Sequence, residues 1–300
     1  MSTESFPFVL STAFSSTLSG GNPAATLFIG DAKPSDETLG VIALNFTQPM
    51  ITYISSPLPS TDNNTAVFDV RWFTPVGKEV PLCGHGTIAA AGAIWSSPGM
   101  VSDDVDTLEF HAVSGAMLKV HKGDGRWYEI RLPAGSVEPV SEAEWAHVAG
   151  LVSQAMGKEV HVKFIGKGGK GFEHMVLIEL EPEDDLEGCV VDNSALRTTG
   201  FYINIITTAG PKNEASGARF VSRMFAPLRI LGGEDHVCGS AHGVLTPYWS
   251  RKLGIASSGE IKARQVSPRG GDLKVSWHQD EETVGLKGEL RLLGRGELFV

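Results

Sequence analysis

Cysteine is scarce: the 300 residues contain three, Cys83, Cys189 and Cys238. An odd, sparse set makes no disulfide framework and fits a reducing compartment, where thiols are either buried or reactive. Basic residues are outnumbered, 25 Lys and Arg against 35 Asp and Glu, for a formal net charge of −10. That balance argues against a nucleic-acid partner and against a membrane surface, because both reward a basic face. Long apolar runs are missing too, and stretches such as Ile88 to Trp95 fall far short of the ~20 residues that span a bilayer. The opening MSTESFPFVLSTAF lacks the basic stretch and apolar run of a signal peptide, so a cytoplasmic location is expected. The nine histidines show no metal-ligand spacing, and no metal is expected.

What is present reads as an ordinary globular enzyme, 42% hydrophobic and 20% charged. At about 150 residues per domain the length suggests two domains. Most of the chain reads as short strands between Gly, Pro, Asn and Asp turns: Phe8 to Ala13, Ala25 to Ile29, Ile51 to Ser55, Ala66 to Phe73, Leu108 to Phe110, Trp127 to Leu132, His174 to Glu179, Phe201 to Thr207 and Leu273 to Trp277. Helices are fewer: a stretch after Pro34, His85 to Trp95, Ser141 to Leu151 and His242 to Leu253. The segment Lys212 to Gly217 reads as a polar loop. The fold class expected is α+β, strand-rich.

The two halves repeat each other. Arg71-Trp72-Phe73-Thr74-Pro75 and then Glu79-Val80-Pro81-Leu82-Cys83-Gly84 match Arg223-Met224-Phe225-Ala226-Pro227 and then Glu234-Asp235-His236-Val237-Cys238-Gly239. A weaker echo pairs Gly20-Gly21-Asn22-Pro23 with Gly168-Gly169-Lys170-Gly171. Such a long repeat suggests duplicated domains packed about a pseudo-twofold axis, with the site at their interface.

Each cysteine ends a strand-like segment and precedes a helical one. A helix N-terminus presents unpaired N–H groups and a partial positive charge, which lowers a thiol's pKa and cradles an anion. Gly84, His85, Gly239 and Ser240 are therefore expected to bind a substrate carboxylate through their amides. Two bases on opposite faces of one carbon would invert it, with sulfurs roughly 7 Å apart around a ligand. A lone cysteine in an apolar stretch is ordinarily a small buried hydrophobe, as we read Cys189. The matched places of Cys83 and Cys238 favour catalysis. His85 and His242 read equally as helix-start hydrogen-bond formers, Arg71 and Arg223 as partners of local carboxylates, and Asn22 as a turn former. Gly166 to Gly171 spells G-x-G-x-x-G, but a strand-like stretch follows it where a dinucleotide site needs a helix, so it reads as a flexible turn.

Gly21 to Ala25, Arg71 to Ala91, Arg223 to Trp249 and Gln265-Val266-Ser267-Pro268-Arg269-Gly270-Gly271 resemble, in order, the phenazine-biosynthesis-like (PhzF-like) family of the diaminopimelate epimerase superfamily. The resemblance implies two similar domains, each a mixed sheet wrapped around a central helix, with the active site between them. It also implies no cofactor and, often, a homodimer. We place the domains at 1–122, with a strand at about 288–300 returning to it, and 123–287. The family's catalytic Glu corresponds to Gln48, an amide that cannot act as a carboxyl acid or base. Cysteine at both 83 and 238 is similar to the thiol pair of diaminopimelate epimerases and proline racemases, while His85 and Asp235 match positions implicated in PhzF-like chemistry.

The leading expectation is thus a cofactor-independent epimerase or racemase acting on a small amino-acid-like carboxylate. Its catalytic residues would be Cys83, Cys238, Asp235 and His85, and its substrate-binding residues Asn22, Gln48, Gly84, Gly86, Gly239, Ser240 and Ala241. The alternatives are a PhzF-like isomerase that shifts a proton and double bond through Asp235 and His85, and a non-catalytic relative marked by Gln48.

Overall fold

The computed structural model describes residues 5–211 and 216–300, so four residues of the expected polar loop, 212–215, lie outside the described residues. The chain divides into two compact units, one running to Arg131 and regaining Lys287–Val300, the other Leu132–Leu286.

The first unit contains β1 (Ser5–Ala13), β2 (Asn22–Gly30), α1 (Asp36–Phe46), β3 (Ile51–Ser55), β4 (Thr65–Phe73), β5 (Glu79–Val80), α2 (Gly84–Trp95), β6 (Thr107–Ala112), β7 (Met117–Lys122) and most of β8 (Trp127–Pro133). β1 and β2 are antiparallel, β2 and β3 parallel, β3 and β4 antiparallel, and β4 lies antiparallel to β5 but parallel to β6. β7 is antiparallel to both β6 and β8. That last pairing, Val120 opposite Ile130, keeps β8 in the first unit, so the division falls after Arg131 rather than after 122.

Helix α2 is the centre of this unit. Residues Gly84 to Ile94 are all buried, and the helix packs against β1, β2, β3 and β7. A helix enclosed by strands has room for little more than glycine and alanine at its closest approaches. A Cβ on Gly86 would lie 2.9 Å from both Met50 Cγ and Thr52 Oγ1 and 3.1 Å from Trp72 Cδ1. Across the sheet, α1 closes a second core of Leu39, Ile42 and Ala43 against Leu27, Ile51, Tyr53 and Phe73.

The second unit repeats the plan. After β9 (Val137–Pro139) and α3 (Glu142–Met156) come β10 (Val162–Gly168), β11 (Met175–Leu180), β12 (Ile203–Ala209), β13 (Phe220–Phe225), β14 (Glu234–Asp235), α4 (Gly239–Leu253), β15 (Glu260–Gln265) and β16 (Gly271–His278). The pairings run in the same order and sense: β10 antiparallel to β11, β11 parallel to β12, β12 antiparallel to β13, β13 antiparallel to β14 and parallel to β15. The Gly-rich segments that echo each other in sequence both join the first two strands of this plan. β17 (Thr283–Phe299) leaves the second unit, and its later part pairs along β1 in the first.

Helix α4, buried over most of its length up to Ser250, carries Pro247 inside it. Proline has no N–H to give the carbonyl four residues back. That carbonyl, of Gly243, instead accepts from Gly135 N at 2.9 Å. Outside the sheet, α3 and a short 3₁₀ turn, Asn193–Thr198, cover a core of Val148, Val152, Ile165, Val176, Ile178 and Phe225.

The supposed dinucleotide fingerprint is no flexible turn along its whole length. Gly166 and Gly168 belong to β10, paired with Leu177 and Val137, and the turn is confined to the residues after them. No helix among the described residues is long and apolar enough to cross a membrane.

Candidate active site

The expected site residues fall into two groups. Asn22, Gln48 and Cys83 to Gly86 belong to the first unit, and Asp235 and Cys238 to Ala241 to the second.

In both units a clamp fixes the loop ahead of the cysteine. Arg71 bonds Glu79 through Nε and Nη2 at 2.8 and 2.6 Å, and Nη2 also reaches Asp36 at 2.8 Å. Arg223 bonds Glu234 the same way, at 2.7 and 2.8 Å. Each guanidinium also lies 5.2 Å from the ring centroid of the phenylalanine two residues on, Phe73 or Phe225. Planar, bidentate pairing with a stacked ring explains why both positions are arginine. A second anchor follows: Ser114 Oγ donates to the Pro81 carbonyl and Ser267 Oγ to the His236 carbonyl, each at 2.7 Å.

Each cysteine is the N-cap of its buried helix, with extended backbone. Cys83 is 7% exposed. Its carbonyl accepts from both N and Oγ1 of Thr87, and its sulfur lies 3.4 Å from His85 Nδ1. Cys238 is 4% exposed. Its sulfur accepts from Ala241 N at 3.5 Å and lies 3.2 Å from Ser240 Oγ. The Asp235 carboxylate also hydrogen-bonds this thiol.

The helix-terminus expectation for the thiol is corrected here. Burial, above all, and then the neighbouring Asp235 charge push the Cys238 thiol well above its ordinary range, outweighing the Ser240 and Ala241 hydrogen bonds. Cys238 is therefore held as the neutral thiol, a proton donor rather than a ready base. Ala241, expected among the substrate-binding residues, gives its amide to the sulfur. The first-turn amides of Gly239 and Ser240 have no carbonyl four residues back within the helix, and neither do those of Gly84, His85 and Gly86.

His242 resolves as the bland reading of the sequence has it. Fully buried, its Nδ1 meets the Cys238 carbonyl at 2.7 Å, so that nitrogen carries the proton. Burial lowers its pKa to about 4, and the ring is neutral. Asn22 opens β2 opposite Ala13 and is fully buried. Gln48 follows Thr47, the left-handed cap of α1, and its amide donates to the Phe46 carbonyl at 3.4 Å. Cys189 is half-buried, with its Sγ within 3.8 Å of the Met156 carbonyl.

Two features sharpen the reading of the sequence. The first is Gln265, fully buried on β15, which accepts from Cys238 N at 2.9 Å and donates to the Asp235 carbonyl at 2.6 Å. The sequence places it only within a family-like segment. The second is structural confirmation of the repeat alignment, which sets Val80 where the second loop has Asp235: Trp72 pairs with Val80 as Met224 pairs with Asp235. Among the described residues no group of three or more His, Cys, Asp or Glu is arranged to hold a metal.

Solved structures place this plan among known folds. A crystal structure of a phenazine biosynthesis protein of the PhzF family from Enterococcus faecalis is 28% identical, with TM-score 0.78, over 99% of this chain and 100% of that one. A hydroxyproline epimerase from Agrobacterium vitis, 12% identical, shares the fold at TM-score 0.59 over 99% of this chain and 92% of its own. In sequence, an uncharacterized isomerase of Pseudomonas aeruginosa is 33% identical over 290 residues, 95% of each chain. The protein is thus an isomerase on an epimerase-like α+β scaffold of two like units. It belongs to the phenazine biosynthesis-like (PhzC-PhzF) family, whose model matches residues 11–293.

Proposed function

We propose that this isomerase is a cofactor-independent epimerase or racemase. It would move a proton at the carbon next to the carboxylate of a small amino-acid-like metabolite, with Cys83 and Cys238 as its acid and base. The observation that carries the reading is the matched placing of the two thiols, each the N-cap of its unit's buried helix.

Their different partners suggest different resting roles. His85, at 3.4 Å from Cys83 Sγ, can take that thiol's proton and leave a thiolate base. Cys238, buried beside Asp235, keeps its proton. In the step, the Cys83 thiolate takes the proton from the substrate carbon, and the C–H electrons spread into the carboxylate. The first-turn amides of the two helices are suited to that growing charge. Cys238 then gives its proton to the opposite face and becomes the thiolate, so one C–H bond breaks, another forms, and the centre inverts. Exchange with solvent resets the pair. No electron leaves the substrate, so the step calls for no redox partner. Asn22 and Gln48 would orient the substrate, Gln48 by hydrogen bonding only.

A second reading is favoured by one observation, the carboxylate of Asp235 beside the Cys238 thiol and Val80 at the matching position of the first loop. A single carboxylate suits a proton shifted between two carbons, moving a double bond with Asp235 and His85. Incubation with a library of amino acids and small carboxylates in deuterated water, read by mass spectrometry and chiral separation, tests both. Deuterium at an inverted centre supports epimerisation, whereas a displaced double bond supports the second reading. No deuterium in any candidate would contradict both.

A further inference from the structure

We propose that Gln265 is a positioning residue for proton transfer, its side-chain amide holding Asp235 and Cys238 in register. The inference rests on the reading of Cys238 as an acid–base group.

The geometry is specific. One amide group spans the loop, bonding the carbonyl of Asp235 and the N–H of Cys238. A glutamine amide offers a donor and an acceptor at its two ends, which this pair of backbone groups requires. Ser267 fixes the carbonyl of His236 between them and itself accepts from Gly270 N at 3.1 Å. The segment carrying the carboxylate and the thiol is thus tied to β15 and the turn after it by three hydrogen bonds.

The first unit supplies the internal comparison. Val70 pairs with Ala112 across β4 and β6 as Ser222 pairs with Gln265 across β13 and β15. Ala112 is therefore the repeat counterpart of Gln265. The serine anchor is kept, Ser114 for Ser267, but the amide is not. Beside Ala112 the first unit has a solvent-open pocket of about 290 Å³ lined by Trp72, Val80, Pro81, Ala112 and Ser114 among others. The glutamine is present where the loop carries a carboxylate to be aimed and absent where that position is Val80. Packing alone does not call for this difference, because the first loop folds on the same plan without it.

The charged and titratable groups about the second loop are Glu234 and Asp235 on it, Arg223 paired with Glu234, His236, His242 and Arg269. His236 lies within the field of Arg269, and His242 is neutral. Asp235 is the one that bears on the thiol.

The test needs no substrate. The rate of Cys238 alkylation by iodoacetamide is followed against pH in the full chain, with the Cys238 peptide read by mass spectrometry. Gln265→Met keeps the side-chain volume and removes both hydrogen bonds. Gln265→Ala removes both, and acetamide added to it can refill the space. Asp235→Asn reports whether the carboxylate governs the thiol at all. The proposal expects Gln265→Met and Gln265→Ala to move the alkylation midpoint down by about one pH unit or more, as Asp235→Asn does, with acetamide reversing the shift in Gln265→Ala. Once a substrate is known, kcat falls while KM holds. Gln265→Met titrating like wild type while Asp235→Asn shifts would overturn the positioning role alone. If Asp235→Asn leaves the midpoint unmoved, the Asp235–Cys238 pairing fails and the proposal falls with it.

Discussion

Arg223 and Glu234 form a bidentate ion pair whose side chains are only 5% and 14% exposed, whereas their counterparts Arg71 and Glu79 are 20% and 34% exposed. Removing one partner of a buried pair leaves an uncompensated charge, while a solvated pair loses little. Glu234→Gln is expected to cost about 3 kcal/mol and Glu79→Gln about 1 kcal/mol or less, compared by urea unfolding. Equal losses would show that burial does not set the difference.

Helix α2 has no room at Gly86, where a methyl group would press on Met50, Thr52 and Trp72 together. Gly86→Ala is expected to destabilise the protein by about 1–3 kcal/mol through overpacking, despite alanine's better helix propensity. A thermal melt measures it, and a variant as stable as wild type would show that the neighbours yield freely.

His242 makes stability fall in acid. Its folded pKa is about 4 against an ordinary 6.5, so the unfolded chain binds the proton first. Its contribution is complete above pH 6.5 and is lost as pH falls toward 4, by about 3 kcal/mol. His242→Asn can keep a donor for the Cys238 carbonyl without a titrating ring. Urea midpoints between pH 7 and 4 should flatten in this variant. An unchanged acid slope would place the effect elsewhere.

Cys238 acts at the other end of the scale. Its thiol lies above the ordinary 9.0, so the unfolded chain loses that proton first as pH rises. The stabilisation it gives is present below pH 9.0 and is lost progressively above it. Cys238→Ala should unfold less steeply with alkali than wild type, as followed by fluorescence between pH 8 and 11. Identical alkaline profiles would count against the raised thiol.

How far the sequence carries depends on where the information lies. Ile51 to Ser55 is legible as a strand because β-branched and aromatic residues run together between turn residues. β17 is legible only through the family resemblance, which places a returning strand at about 288–300, because Gly288, Gly294 and Gly296 break its own pattern, and Gly296 leaves space that the Phe8 ring covers, a Cβ there lying 2.9 Å from it. The start of α4 at Gly239 was hidden by Gly239 and Ser240, weak helix formers that the N-cap and the burial of the helix override. Cys83 and Cys238 stand out through the repeat, and Arg71 and Arg223 pair with local carboxylates as their setting suggests. The protonation of Cys238 was not legible, because desolvation by the folded unit reverses what the helix terminus alone would do. Gln265 was equally hidden, since its partners are backbone groups of a loop remote in sequence.

The thiols carry the central claim. Wild type, Cys83→Ser and Cys238→Ser are incubated with the responsive substrate in deuterated water, and inversion and deuterium uptake are followed together. A serine hydroxyl is far too weak an acid to replace a thiol, so both variants should keep their fold and lose inversion by about 10²–10⁴-fold. A Cys238→Ser enzyme with near-normal turnover would contradict the two-thiol account and leave Asp235 with His85 as the catalytic pair.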